Sequence, residues 1–151
     1  MEKKKVIVML CRVFPKEHGK AGEETDFEAK VKDGRKIHTI RYNGNDVWAK
    51  RFKDISEGRK YLSLRQWTGR PYYSEQKEIA KVERIGLQKV TMAYSSGDGL
   101  PQIWIDGKAQ DIAAVAKNDG MTVDEFVGFF FGKSQGNVFE GVVIHFTEYR
   151  Y

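Results

Sequence analysis

The 151-residue sequence holds one cysteine, three prolines and no long apolar run. A lone Cys11 excludes a disulfide scaffold and any cysteine-based zinc module. The early apolar stretch at residues 6–11 lies between Lys3-Lys4-Lys5 and Arg12. It is shorter than a signal-peptide core and far too short to span a membrane. His38 and His145 lack a third ligand, and His18 follows Cys11 at a spacing that no metal motif uses, so no metal is expected. No cofactor is expected either. There are no repeats, no low-complexity tract and no linker. What remains is one soluble, cytoplasmic domain over residues 1–151, of a length that buries roughly two-thirds of the surface its unfolded chain exposes.

Charge is present in quantity, and its placement says more than the net value of +5. Residues 35–70 carry ten basic side chains (Arg35, Lys36, Arg41, Lys50, Arg51, Lys53, Arg59, Lys60, Arg65, Arg70) against three acidic ones (Asp46, Asp54, Glu57). Trp48, Tyr61, Trp67, Tyr72 and Tyr73 are interleaved in and just beyond this stretch. Cations mixed with aromatics suit a surface that holds phosphates and stacks bases. Basic side chains solvating outward strand faces are an equal alternative.

Along the chain, residues 5–14 read as a strand, broken by Pro15, Gly19 and Gly22. Thr25 and Glu28 form a capping-box pattern before a helix that Gly34 ends. Residues 37–42 are a strand, 43–45 a turn, and 47–55 a short helix with Trp48, Phe52 and Ile55 on one face. Strands follow at 61–67, 79–85 and 89–94, then a loop at 95–101 and a hairpin about Asp106-Gly107. Residues 112–117 are helical. Thr122 and Glu125 make a second capping box, opening a helix whose Phe126, Phe129 and Phe130 face the core. The chain closes on a strand at 138–149 with Val142, Ile144 and Phe146 directed inward. Residues 1–24 read as an N-terminal extension and about 97–108 as a hairpin insertion. The order predicts an α+β fold built on a mixed, strongly curved β-barrel with short flanking helices.

Chemistry concentrates at Gly34-Arg35-Lys36-Ile37-His38-Thr39-Ile40-Arg41. A lysine between two fixed cations has its charged form disfavoured, and partial burial acts in the same direction, which suits Lys36 to work as a base. Thr39 offers a hydroxyl. Strict alternation would put the two on opposite faces, so a joint role requires Lys36 to precede the strand.

Gly34-Arg35-Lys36-x-x-Thr39-Ile40-Arg41 resembles the signature of the ASCH domains, which have a PUA-like barrel, and in particular of the small bacterial N4-acetylcytidine amidohydrolases. Asp119-Gly120-Met121-Thr122-Val123-Asp124-Glu125-Phe126 resembles the family's acidic residue before a Met-Thr helix start, and Phe139-x-x-Val142-x-Ile144-x-Phe146 its closing strand. The three blocks occur in the family's order. The resemblance implies Lys36 as proton acceptor, Thr39 as nucleophile and Asp119, where the family carries Glu, as proton donor.

Arg35, His38, Arg41, Arg65, Trp67, Arg70 and Tyr72 are the candidate binding residues around these three. Two functions follow. One is nucleobase or nucleoside binding with hydrolysis of an N-acyl amide such as that of N4-acetylcytidine. The other is a noncatalytic RNA-binding module. A nucleoside or RNA is the expected partner in either case, and a membrane is not.

Overall fold

The computed structural model describes residues 2–94, 99–132 and 137–151. In chain order the elements are β1 (Lys4–Met9), α1 (Phe27–Lys32), β2 (His38–Tyr42), a 3-10 turn (Gly44–Asp46), α2 (Val47–Ser56), β3 (Lys60–Trp67), β4 (Gln76–Val82), β5 (Gly86–Ala93), β6 (Gln102–Ile105), β7 (Lys108–Gln110), α3 (Ile112–Asn118), α4 (Val123–Phe130) and β8 (Val138–His145). They form an α+β structure with two sheets, in the orders β1-β3-β4 and β2-β8-β5-β6-β7. In the first sheet β1 runs parallel to β3, so the chain between them makes the crossover that carries α1, β2 and α2. The second is antiparallel at every pairing.

The expected barrel does not form. Neither sheet closes, and no ladder joins β2, an edge of the larger sheet, to β1, an edge of the smaller. A closed barrel would need two further pairings, β1 with β2 and β4 with β7, and neither is present among the described residues; at the first of these junctions the Arg41 guanidinium reaches from β2 to the end of β1. Its Nη2 donates to the Met9 carbonyl at 2.6 Å, and its Nη1 donates to the Ile40 carbonyl at 2.9 Å. A side chain inserted there is incompatible with the ~4.8 Å spacing of paired strands.

Both sheets nevertheless feed one core. Val6, Val8, Leu62 and Leu64 of the smaller sheet join Val90, Met92, Ile103, Ile105 and Val143 of the larger, with Trp48 from α2 and Phe126 from α4. The tip of the hairpin between β6 and β7, Asp106 at φ 49° and Gly107 at φ 79°, has the two left-handed residues that a tight hairpin needs. The hairpin extends the larger sheet through pairing of β5 with β6. Residues 95–98 of the predicted loop lie outside the described residues.

Local patterns decide some helix ends and not others. At α4 the capping box is complete: Glu125 N–H donates to Thr122 Oγ1 at 3.2 Å, and Thr122 N–H donates to Glu125 Oε1 at 2.9 Å. At α1 the predicted box is absent, because Asp26, at φ 59°, takes the N-cap and the helix starts one residue later than the box requires, so that Thr25 Oγ1 accepts from Phe27 N–H at 3.3 Å in place of Glu28 N–H. Thr25 Oγ1 donates to the Cys11 carbonyl at 2.7 Å, and Glu28 pairs with Lys32 and Lys77. The final strand also departs from simple alternation. Residues 141–145 are buried in unbroken succession, so both faces of β8 are covered there.

Candidate functional site

Lys36 lies just before β2, as a joint role with Thr39 requires. It forms an isolated bridge with Asp119, and the neighbouring Ile37 N–H donates to the Asn118 carbonyl at 2.9 Å. This short backbone clasp brings the first motif against the end of α3. Gly120, at φ +79°, turns the chain out of α3, and a Cβ there would stand 3.0 Å from Lys36 Cβ. Thr39 and Arg41 alternate onto one face of β2, with His38 and Ile40 on the other.

Lys36, Thr39, Arg41 and Asp119 line one cavity of about 340 Å³, walled on its apolar side by Phe27, Phe129 and Phe130 among others. The volume is at the small end for ligand pockets. Lys36 Nζ donates to the Asp119 carbonyl at 2.8 Å and to Asp119 Oδ1 at 3.1 Å, with both side chains almost wholly buried. It also stands 4.2 Å from the centre of the Phe27 ring. Arg41 Nη1 donates to Thr39 Oγ1 at 2.7 Å.

Burial is the largest influence on Lys36 and pushes its pKa below the ordinary lysine value, against the opposing pull of Asp119. For Asp119 burial acts upward, but Lys36 and His38 together outweigh it and hold the carboxyl below its usual range. Arg41 is also pushed down by burial, partly offset by Asp119.

Behind the cavity runs a directional chain of hydrogen bonds. Asp119 Oδ1, as a carboxylate oxygen, can only accept, so His38 donates its Nδ1 hydrogen to it at 3.1 Å. His38 Nε2 then accepts from the Tyr151 hydroxyl at 2.6 Å, and Asn118 Nδ2 donates to that hydroxyl at 3.1 Å. The arrangement sets the tautomer of His38 and with it the orientation of Asp119. His38 is therefore placed behind Asp119 and not in the cavity wall.

His145 is the β8 partner of His38, and the two rings lie 5.5 Å apart edge to face. Their closeness comes from strand pairing in an open sheet. Among the described residues, no group of three or more His, Cys, Asp or Glu is arranged to hold a metal ion.

The remaining binding candidates lie elsewhere. Arg35 is exposed, with Nε donating to Asp33 at 2.7 Å. Arg65 on β3 is held by Ser63 at 2.9 Å and paired with Glu78 at 3.8 Å. Trp67, Arg70 and Tyr72 line a second groove of about 750 Å³. Met9, Leu10, Cys11 and Pro15 line both spaces, so this segment is their common wall.

Sequence reasoning missed Tyr151, Asn118 and Gln88. Gln88 accepts from His145 Nε2 and from Tyr151 N–H, both at 2.9 Å, and so ties the last residue to β5. No local motif marks any of the three. Among the described residues, no helix is long and apolar enough to cross a membrane. No family model, no curated protein and no solved structure matches this chain.

Proposed function

We propose that the cavity binds a nucleobase or nucleoside and hydrolyses an N-acyl amide on it, with N4-acetylcytidine as the model substrate class. The observation that carries this reading is convergence. Residues drawn from two motifs 83 positions apart line one cavity, and two of them, Lys36 and Asp119, are in direct contact there.

The hydrogen bonds support a base at Lys36. A neutral lysine has two N–H groups and one lone pair. Asp119 accepts both hydrogens, through its carbonyl and its Oδ1, and the lone pair is left for a proton. In the proposed reaction Lys36 takes the Thr39 proton while Thr39 Oγ1 attacks the acyl carbonyl. The C–N bond then breaks, and Lys36 returns the proton to the departing amine. Water attacks the resulting Thr39 ester with Lys36 again as base, and Lys36 then returns that proton to Thr39 Oγ1 as the acid leaves. Arg41, already donating to Thr39 Oγ1, places positive charge beside the developing oxyanion. The resemblance casts Asp119 as proton donor. Its depressed pKa favours a different part, in which the carboxylate aligns Lys36 and Lys36 carries the proton in both directions.

The test is release of cytidine from N4-acetylcytidine, resolved by chromatography. Thr39→Ala should abolish turnover without unfolding the protein, since Arg41 keeps the carbonyls of Ile40 and Met9 as acceptors. Thr39→Ser should restore part of it. The rate should rise with pH through an apparent pKa below that of ordinary lysine, because neutral Lys36 is the active form. Absence of turnover by the unmodified protein would overturn the hydrolase reading.

A further inference from the structure

Among the described residues that line the second groove none is acidic, and three, Arg12, Lys16 and Arg70, are cationic, Arg12 standing 3.9 Å from Glu24 outside that lining. Its far wall is the turn after β3. There Tyr73 N–H donates to the Arg70 carbonyl at 3.1 Å, and Tyr72 has φ +66°. With Pro71 preceding it, Tyr72 occupies the position of a type II turn that calls for φ above zero, where glycine is relaxed and an aromatic residue is strained. Strain of this kind persists where something else is gained.

The gain is not core packing, because Tyr72 is 85% exposed. Its ring stands 5.1 Å from that of Trp67, and Arg70 lies 4.2 Å over the ring of Tyr73, which is itself exposed. The strained turn thus holds a contiguous aromatic surface in solvent, with cations beside it. Such a surface matches unpaired bases and the phosphates between them. An acidic peptide would satisfy the cations but leave the aromatic surface unused.

We infer that this groove binds a single-stranded polynucleotide, with bases stacked on Trp67 and Tyr72 and phosphates held by Arg12, Lys16 and Arg70. The wall shared through Met9, Leu10, Cys11 and Pro15 sets the strand next to the catalytic cavity. If the cavity has the function proposed above, its substrate is an acylated base within a strand. That last step rests on the hydrolase reading, whereas the binding site does not.

The test is fluorescence anisotropy with a labelled 12-nucleotide single-stranded RNA, alongside thermal melting. Tyr72→Gly should weaken binding at least about fivefold, the lower end of the effect of losing one stacked aromatic. The same variant should melt at the same temperature as the parent or higher, because glycine relaxes the turn. The logarithm of affinity should fall with the logarithm of salt at a slope of about −2 for three phosphate contacts, and Arg70→Ala should reduce that slope by about 0.7. Binding unchanged in a folded Tyr72→Gly protein would overturn the inference, and so would equal binding of poly-glutamate. Free-nucleoside hydrolysis without RNA binding would refute the groove and leave the cavity reading standing. RNA binding that responds to Tyr72→Gly, without hydrolysis, would do the reverse.

Discussion

His145 is fully buried, and its environment admits only the neutral ring. Its Nε2 hydrogen is donated to Gln88 Oε1 at 2.9 Å, while Nδ1 has no partner among the described residues. Burial, then His38 and Arg150, push its pKa down to about 3, with Asp106 opposing weakly. An unfolded chain binds this proton near pH 6.5 and the folded one does not, so stability falls as the pH drops from 6.5 towards 3. At about 1.4 kcal/mol per pH unit, the loss between pH 6.5 and 4.5 is about 2.7 kcal/mol, a large share of the 5–15 kcal/mol typical of a domain. Stopping at pH 4.5 matters because Asp119, whose folded pKa is depressed, gives up its own contribution only below that. The perturbation is His145→Phe, which removes the titrating ring while Gln88 Oε1 keeps Tyr151 N–H as a donor. Urea unfolding at pH 7 should give the variant a stability within about 1 kcal/mol of the parent. At pH 4.5 the parent should have lost about 2.7 kcal/mol more than the variant. Parallel loss in the two proteins would refute the buried neutral ring.

Two further perturbations probe how the site is held. At Gly141 an added Cβ would stand 2.3 Å from the Arg41 carbonyl oxygen, so Gly141→Ala must push β2 away from β8. It should cost about 1–3 kcal/mol in thermal or urea unfolding, and a variant as stable as the parent would show that the two strands are not so closely apposed. Tyr151→Phe removes the hydroxyl that His38 Nε2 and Asn118 Nδ2 share. Two polar groups lose a partner, and the expected cost is about 1–3 kcal/mol by urea unfolding, whereas a neutral result would mean that the His38 chain is not formed in solution.

What could be read from the chain alone was local. The Thr122 and Glu125 pair forms its capping box because no competing group lies near enough to take either side chain out of it; Lys20 uses only the second carboxylate oxygen, Oε2, at 2.8 Å. The Thr25 and Glu28 pair has the same spelling and fails, since Asp26 takes the N-cap, the Thr25 hydroxyl is anchored on the Cys11 carbonyl while it accepts from Phe27 N–H, and Glu28 pairs with its neighbour Lys32 and with the distant Lys77. Identical local signals thus diverge through contacts made 14 and 49 positions away. That Lys36, Thr39 and Asp119 line one cavity follows from no periodicity in the chain; only the resemblance of their two motifs groups them. Tyr151 was invisible because its role depends on where β8 delivers the last residues, which no short pattern encodes.

The barrel expectation fails at two junctions, β1 with β2 and β4 with β7, and at the first of them Arg41 has a reach that its place in a basic motif does not reveal. Arg41 was assigned to ligand binding as the end of a basic signature, and it does line the cavity. The same guanidinium bonds simultaneously to Thr39, Ile40 and Met9, which makes it the link between the two sheets. A backbone ladder there would compete for the Met9 carbonyl, the acceptor that Arg41 reaches on β1, and leave its guanidinium with the local acceptors Thr39 and Ile40. The guanidinium that reaches across the unpaired edges also holds the hydroxyl of the proposed nucleophile, so one side chain both spans the gap in the fold and fixes Thr39 in the cavity.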